Sequence, residues 1–271
     1  MDDATGAKPW RFFALTFGWT WFWWGLAVML GLSLESLPGT ILMALGGVGP
    51  AVGALVLLWP MRDRPLWRAY WQRVIDVRRI PGAWYAVIFL FTPLLTLVAL
   101  GIDALLNGAS YFNFESVWLA GPWAVISSVL FTLFFGPVPE ELGWRGYALS
   151  PLQARHGALK ASLILGAIWS AWHIPLFLLP GAYQYEIGLG TLASWRYFVS
   201  IIPEAIFITW VFNHTERSTL AAILFHFVTN FNPVESLFVL SEAASWYQLA
   251  LRCALALIIS MRWGLETPRP D

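Results

Sequence analysis

The sequence is short of charge. Of its 271 residues only 12% are Asp, Glu, Lys or Arg, against 58% hydrophobic residues and a mean hydropathy of +0.64. An ordinary soluble domain carries about 25% charged residues, so there is too little polar material to coat a water-soluble globule or to keep a disordered chain solvated. The charges present cancel to a net of zero; no basic field exists to hold nucleic acid, and no RNP, zinc-finger or P-loop pattern occurs. The single cysteine, Cys253, excludes an intramolecular disulfide framework and a CxxC redox or metal site. HExxH and GxSxG are also missing, which removes the zincin and nucleophile-elbow chemistries. No hydrophilic stretch is long enough to fold as a soluble domain. What is left is a polytopic membrane protein.

What the chain does have is apolar runs long enough to cross a hydrocarbon core about 30 Å thick, which takes about 20 residues each. Eight are read: Arg11–Leu32, Thr40–Leu58, Trp84–Gly101, Trp123–Leu142, Ala158–Leu179, Tyr197–Phe212, Leu220–Leu240 and Trp246–Trp263. The runs are continuous rather than alternating, so the expected fold is all-α, a bundle forming one membrane domain over 1–271, and not a barrel. The first block is too long for a signal peptide and has no A-x-A-like site after it, so it reads as a retained helix. The TPRPD end is not a prenylation box. The 18 Trp suit aromatic belts at the water–lipid boundaries. With the N-terminus in the cytoplasm, all of the 16 Lys and Arg except Arg196 and Arg252 fall on inside segments, while the outside loops hold Glu35, Asp103, Glu115, Glu186 and Glu242. This asymmetry places both termini on the cytoplasmic side of the cell membrane. The segment 62–79 mixes six Arg with Trp67, Tyr70, Trp71 and Val74, the pattern of a cytoplasmic helix lying on anionic lipid. Gly49-x-x-x-Gly53 reads as a close helix-packing face.

Polar side chains inside apolar runs are costly, and three clusters of them stand out. One is Glu140-Glu141-Leu142-Gly143-Trp144-Arg145, after Gly136-Pro137-Val138-Pro139. The second is Trp169-Ser170-Ala171-Trp172-His173-Ile174-Pro175, and the third His226-Phe227-Val228-Thr229-Asn230. Glu141 and Arg145 lie four apart, one turn up the same helix face, where they form a favourable pair. Neighbours on a helix point about 100° apart, so Glu140 is left to face the bundle interior, where burial and a nearby histidine set it up as a base. The alternative is that both acids mark a helix end and pair with Arg145 and Arg155. His226 and Asn230 share a face about 6 Å apart along the axis; they would polarise a carbonyl or, alternatively, glue two helices. His173 on its own reads equally as a satisfied core histidine, although Pro175 loosens the backbone beside it. Cys253 has no histidine near it in sequence, which argues against a thiol nucleophile.

Taken together and in this order, Glu-Glu-x-x-x-Arg, aromatic-x-x-x-His and His-x-x-x-Asn resemble the CAAX protease and bacteriocin-processing family of intramembrane endopeptidases, which includes the type 2 prenyl-protein proteases. The resemblance spans 123–230 as a catalytic core. Arg145-Gly146-Tyr147, the approach Trp210-Val211-Phe212-Asn213-His214-Thr215-Glu216-Arg217-Ser218 and Gly49-Pro50-Ala51 add to it. Trp169 stands where the second motif commonly has Phe, and Glu216-Arg217 replace a frequent Gly-bearing turn. The resemblance implies that Glu140 and His173 activate a water, that His226 and Asn230 form the oxyanion site, and that Glu141 and Arg145 support them and engage a terminal carboxylate. The substrate it implies is a membrane-associated, lipidated peptide, held among membrane lipid and with no nucleic acid. No metal is expected; zinc at Glu140, His173 and His226 is the minority reading. A proton-coupled transporter or a non-catalytic scaffold built on the same residues is the alternative from another class.

Two geometric expectations complete the reading. His173 lies 13 residues from Lys160, about 20 Å of rise, whereas His226 lies 7 from Thr219, about 10 Å. Their meeting requires a tilted or late-starting fifth run and a conical chamber open to the cytoplasm. Glu235 and Arg252 sit at similar depths from the outer ends of runs seven and eight, so they are expected to pair, with Glu204 joining them or lining the chamber.

Overall fold

Apolar runs in lipid must satisfy every backbone N–H and C=O internally, which leaves the helix as their structure. The computed structural model describes residues 9–62, 65–108, 111–112 and 116–263. Lys8, Arg64, Glu115, Arg269 and the TPRPD end, which entered the charge and lipidation arguments, lie outside the described residues. In chain order the helices are α1 (Pro9–Met29), α2 (Leu37–Gly47), α3 (Gly49–Leu58), α4 (Pro65–Ile75), α5 (Gly82–Asn107), α6 (Pro122–Phe135), α7 (Pro137–Gly143), α8 (Leu149–Trp172), α9 (Tyr183–Ile187), α10 (Leu192–His214), α11 (Thr219–Asn230), α12 (Pro233–Leu237) and α13 (Glu242–Trp263). Two-residue strands, Tyr111–Phe112 and Phe238–Val239, pair antiparallel. The protein is an integral membrane helix bundle. Trp10, Trp59, Trp123, Trp195 and Trp246, all at helix ends, are exposed, as belts at the lipid boundary require.

Five helical stretches among the described residues are long and apolar enough to cross a membrane: Pro9–Met29, Gly82–Asn107, Pro122–Leu178, Leu192–His214 and Glu242–Arg262. The pair α2 and α3, bent by 43°, makes a sixth. This differs from the eight expected runs in two places. Runs four and five fall within one 57-residue helical stretch, which would be about 85 Å long if straight. It is broken instead at Gly136 (φ −140°, ψ −94°), at a π-helical turn over Trp144–Ala148, and at Gly157 (φ +74°), a left-handed value that favours glycine. Run seven is not one helix. α11 has 12 residues, about 18 Å, and stops where Asn232 caps the new helix at Val234 N–H and Pro233 withholds its own N–H.

The pairs that bring the interior together are α8 with α10, α3 with α7, α7 with α11, and α13 with α5 and α10. Gly49 and Gly53 lie against Thr16, Thr20 and Phe12 of α1, the close packing expected of that motif. Gly143 touches the backbone of α3: a β-carbon built there would lie 2.6 Å from the Pro50 carbonyl oxygen. Gly143→Ala is therefore expected to push α7 off α3 and lower stability by about 1–3 kcal/mol. Thermal unfolding in detergent reads this directly, and an unchanged midpoint would show that α7 slides freely.

Candidate active site

Three breaks in the helical pattern build the site. Gly136 interrupts the chain, and Pro137 and Pro139, whose missing N–H groups cost nothing in a first turn, start the short α7. This turns Glu140 into the bundle. Pro175 ends α8 and the chain tightens into a 3₁₀ turn over Ile174–Leu178, leaving His173 at the last helical turn. α11 stops at Asn230, and the volume it does not fill becomes a cavity of about 470 Å³. Glu140, His173, His226 and Asn230 all line that cavity, although they come from three separate helices.

Trp169 ties them together. Its indole N–H donates to Glu140 Oε2 at 2.6 Å, its carbonyl accepts from His173 Nδ1 at 2.9 Å, and its ring meets that of His226 edge-on with centroids 5.1 Å apart. A carbonyl can only accept, so the proton of a neutral His173 sits on Nδ1 and the lone pair of Nε2 is left free. His226 is fixed on both sides. Nδ1 donates to Glu141 Oε1 at 2.9 Å, and Nε2 accepts from Asn230 Nδ2 at 3.1 Å. The expected pair of donors is thus joined to itself, and one N–H of the Asn230 amide remains for a substrate oxygen. Gly136 matters here for its missing side chain, since a β-carbon would sit 3.4 Å from Asn230 Nδ2 and 3.8 Å from Glu140 Oε1.

Glu141 and Arg145 form the expected i,i+4 pair at 2.8 Å, with both side chains fully buried. Neither lines the cavity, so Arg145 does not reach a terminal carboxylate there. Its guanidinium lies over the Trp169 ring, 5.1 Å from the centroid. The π-helical turn that carries it is held from outside by α4: Tyr70 Oη donates to the Leu142 carbonyl and Arg73 Nη2 to the Gly146 carbonyl, both at 2.9 Å. Burial pushes the Tyr70 hydroxyl well above the ordinary phenol range, so it remains a donor throughout the physiological range. The basic segment 62–79 is therefore more than a surface helix.

Two expectations are corrected. Arg252 pairs with Glu204 (3.7 Å) rather than with Glu235, whose Oε1 instead takes Gln248 (2.6 Å), Asn232 (3.0 Å) and Thr96 (3.3 Å). Glu204 both lines the cavity and accepts the Thr229 hydroxyl at 2.9 Å. Second, the cavity runs toward Tyr183, Gln184, Tyr197 and Glu235, at the helix ends remote from the basic segment. A chamber on the same face as Arg62–Arg79 is not what the bundle has, so a cytoplasmic N-terminus and a chamber open to the cytoplasm do not hold together. The cause is α11, which starts beside the basic end and stops short of the other.

The donor set does not suit zinc at Glu140, His173 and His226. Both ring nitrogens of His226 are engaged by Glu141 and Asn230, and among the described residues no group of three His, Cys, Asp or Glu is arranged to hold a metal ion.

Residues 122–232 match the model of the type II CAAX prenyl endopeptidase Rce1-like family. Across a much longer stretch, the chain is 32% identical over 235 residues to CAAX prenyl protease 2 of Methanococcus maripaludis, covering 86% of each protein. The chain belongs to the Rce1-like CAAX prenyl endopeptidase family. It is thus an intramembrane protease. The family match covers Glu140, His173, His226 and Asn230 and ends before α13, so Arg252 lies outside it.

Seen from the family's motifs, the residue that sequence reasoning undervalued is Trp169. It was read as aromatic bulk in place of Phe, yet its indole N–H binds Glu140, a bond Phe cannot make. A buried indole seeks an acceptor, and that was the available signal. Glu204 lines the cavity as expected, but Thr229 and the clamp from Tyr70 and Arg73 were missed as parts of the site; nothing local in the sequence joins α4 to α7.

Proposed function

We propose that the protein hydrolyses a peptide bond near the C-terminus of a lipidated, membrane-anchored CAAX-type peptide, using a water activated by Glu140 and His173. The observation that carries this reading is the convergence of Glu140, His173, His226 and Asn230 on one polar cavity within an apolar bundle. With Oε2 engaged by Trp169, the Glu140 carboxylate offers Oε1 to the water, and His173 offers Nε2. The water gives up a proton to this pair as its oxygen attacks the carbonyl carbon; the same proton then passes to the leaving amine. Negative charge developing on the carbonyl oxygen meets the Asn230 N–H that is left free, while His226, held at Nδ1 by Glu141, accepts the other Asn230 N–H on Nε2 and keeps the amide aimed. No covalent intermediate and no metal are needed. The core of this chemistry is 123–230, with 62–79 as its interfacial brace on membrane lipid. The basic residues support a cytoplasmic location for the Arg62–Arg79 end and both termini; the chamber then faces the opposite leaflet.

The test is reconstitution. Purified protein in lipid bilayers, given a farnesylated peptide ending in a CAAX box, is expected to release a C-terminal fragment detectable by mass spectrometry. The unlipidated peptide should be cut at least tenfold more slowly. No release from the farnesylated peptide would overturn the reading.

A further inference from the structure

We propose that Arg252 is the receptor for the substrate's C-terminal carboxylate, an anion subsite within the cavity that Glu140 also lines. The proposal rests on the CAAX-peptidase reading and specifies what its chamber selects. A CAAX box is by definition the end of a chain, so a peptide threaded past Glu140 and His173 brings a carboxylate with it. A carboxylate leaving water for a membrane-embedded chamber needs a cation with donors to spare.

Among the described residues that line the cavity, Arg252 is the one Lys or Arg. Its side chain retains only 11% of its exposure, and its one ion pair, Nη1 to Glu204 Oε2, is 3.7 Å long, beyond hydrogen-bond distance. A buried guanidinium carries five N–H donors in a planar fork matched to a carboxylate. Among the described residues that fork has no hydrogen-bond acceptor, whereas the two carboxylates nearest it already take donors from elsewhere. Glu235 takes three donors, and Glu204 takes the Thr229 hydroxyl on its other oxygen. Arg196, at the adjoining surface, is held by Glu242 at 2.6 Å. The position also fits a short peptide. Glu204 bridges Arg252 to Thr229, the residue beside Asn230, so the guanidinium lies one carboxylate's width from the helix that carries the oxyanion donors. Two further arginines are buried, but Arg145 is sealed behind Glu141 and Trp169, Arg73 donates to the Gly146 carbonyl, and neither borders the cavity.

The experiment compares an apolar tripeptide as the free acid and as the C-terminal amide. Equilibrium binding of both forms is measured on full-length protein in lipid nanodiscs, and cleavage of farnesylated CAAX peptides with the same two ends is measured in parallel. In the wild type the acid is expected to bind at least tenfold more tightly than the amide. In Arg252→Gln the ratio should fall to about one, and Arg252→Lys, which keeps the charge but not the fork, should give an intermediate value. The ratio is the readout because a folding defect lowers both forms together. Equal binding of acid and amide by the wild type overturns the proposal, as does a ratio that survives in Arg252→Gln. Discrimination without any cleavage leaves the anion subsite standing and removes the peptidase reading instead.

Discussion

Glu140→Gln is expected to lower the turnover of a lipidated peptide by about 10²–10⁴-fold, the range for removal of a general base, while leaving the fold intact. The amide is nearly isosteric with the carboxylate and still offers an oxygen to the Trp169 indole, which donates to Glu140 at 2.6 Å. What it loses is the ability to take a proton from water. The measurement pairs kcat on the reconstituted enzyme with the thermal midpoint in detergent. Turnover within a few-fold of wild type, at an unchanged midpoint, would move the base to His173 alone. A parallel fall in activity and midpoint would make Glu140 a structural acceptor for Trp169.

Arg145→Leu is expected to have the largest effect on stability, about 3–5 kcal/mol, because it strands a buried carboxylate. Glu141 and Arg145 have no exposed side-chain surface, and Glu141 Oε1 receives both Arg145 at 2.8 Å and His226 at 2.9 Å. Removing the guanidinium leaves Glu141 with an imidazole as its partner, one that neutralises it only when protonated. Replacing both members with leucine removes the stranded charge, so the double variant is expected to recover part of the loss. Unfolding midpoints for the two single variants and the pair give the coupling between them. Additive losses would mean that the two side chains are solvated independently, contrary to their burial.

The apolar runs reported the helices well, because in a membrane the length of a run is the length of a helix. They failed where a polar pair interrupted a run without ending its hydropathy. Asn230 through Pro233 stop α11 inside what reads as Leu220–Leu240, and two further errors follow from that one. Depths counted back from the end of a straight run seven put Glu235 beside Arg252; with α11 ended early, Glu235 turns instead to Thr96 and Gln248. The same shortfall places the open volume at the end remote from the basic loop. At the site, Glu141 with Arg145 was legible because four residues make one turn. The bond between Glu141 and His226 spans 85 positions and had no local signal. The clamp of Tyr70 and Arg73 on the π-helical turn was hidden for a related reason: an amphipathic basic helix reads as a surface element, and only its packing shows which two of its side chains are buried.

The half-length α11 also decides what kind of tail the enzyme can reach. On the proposed chemistry, with Glu140 and His173 near the middle of a hydrocarbon layer about 30 Å thick, a polypeptide would have to descend about 15 Å to meet them. At about 3.3–3.6 Å per residue that is four or five residues pulled out straight beside the anchor. Proteins whose last residues are coiled or packed against their own surface would then be spared and frayed ends taken, so that the depth of the shaft screens for looseness before any side chain is read.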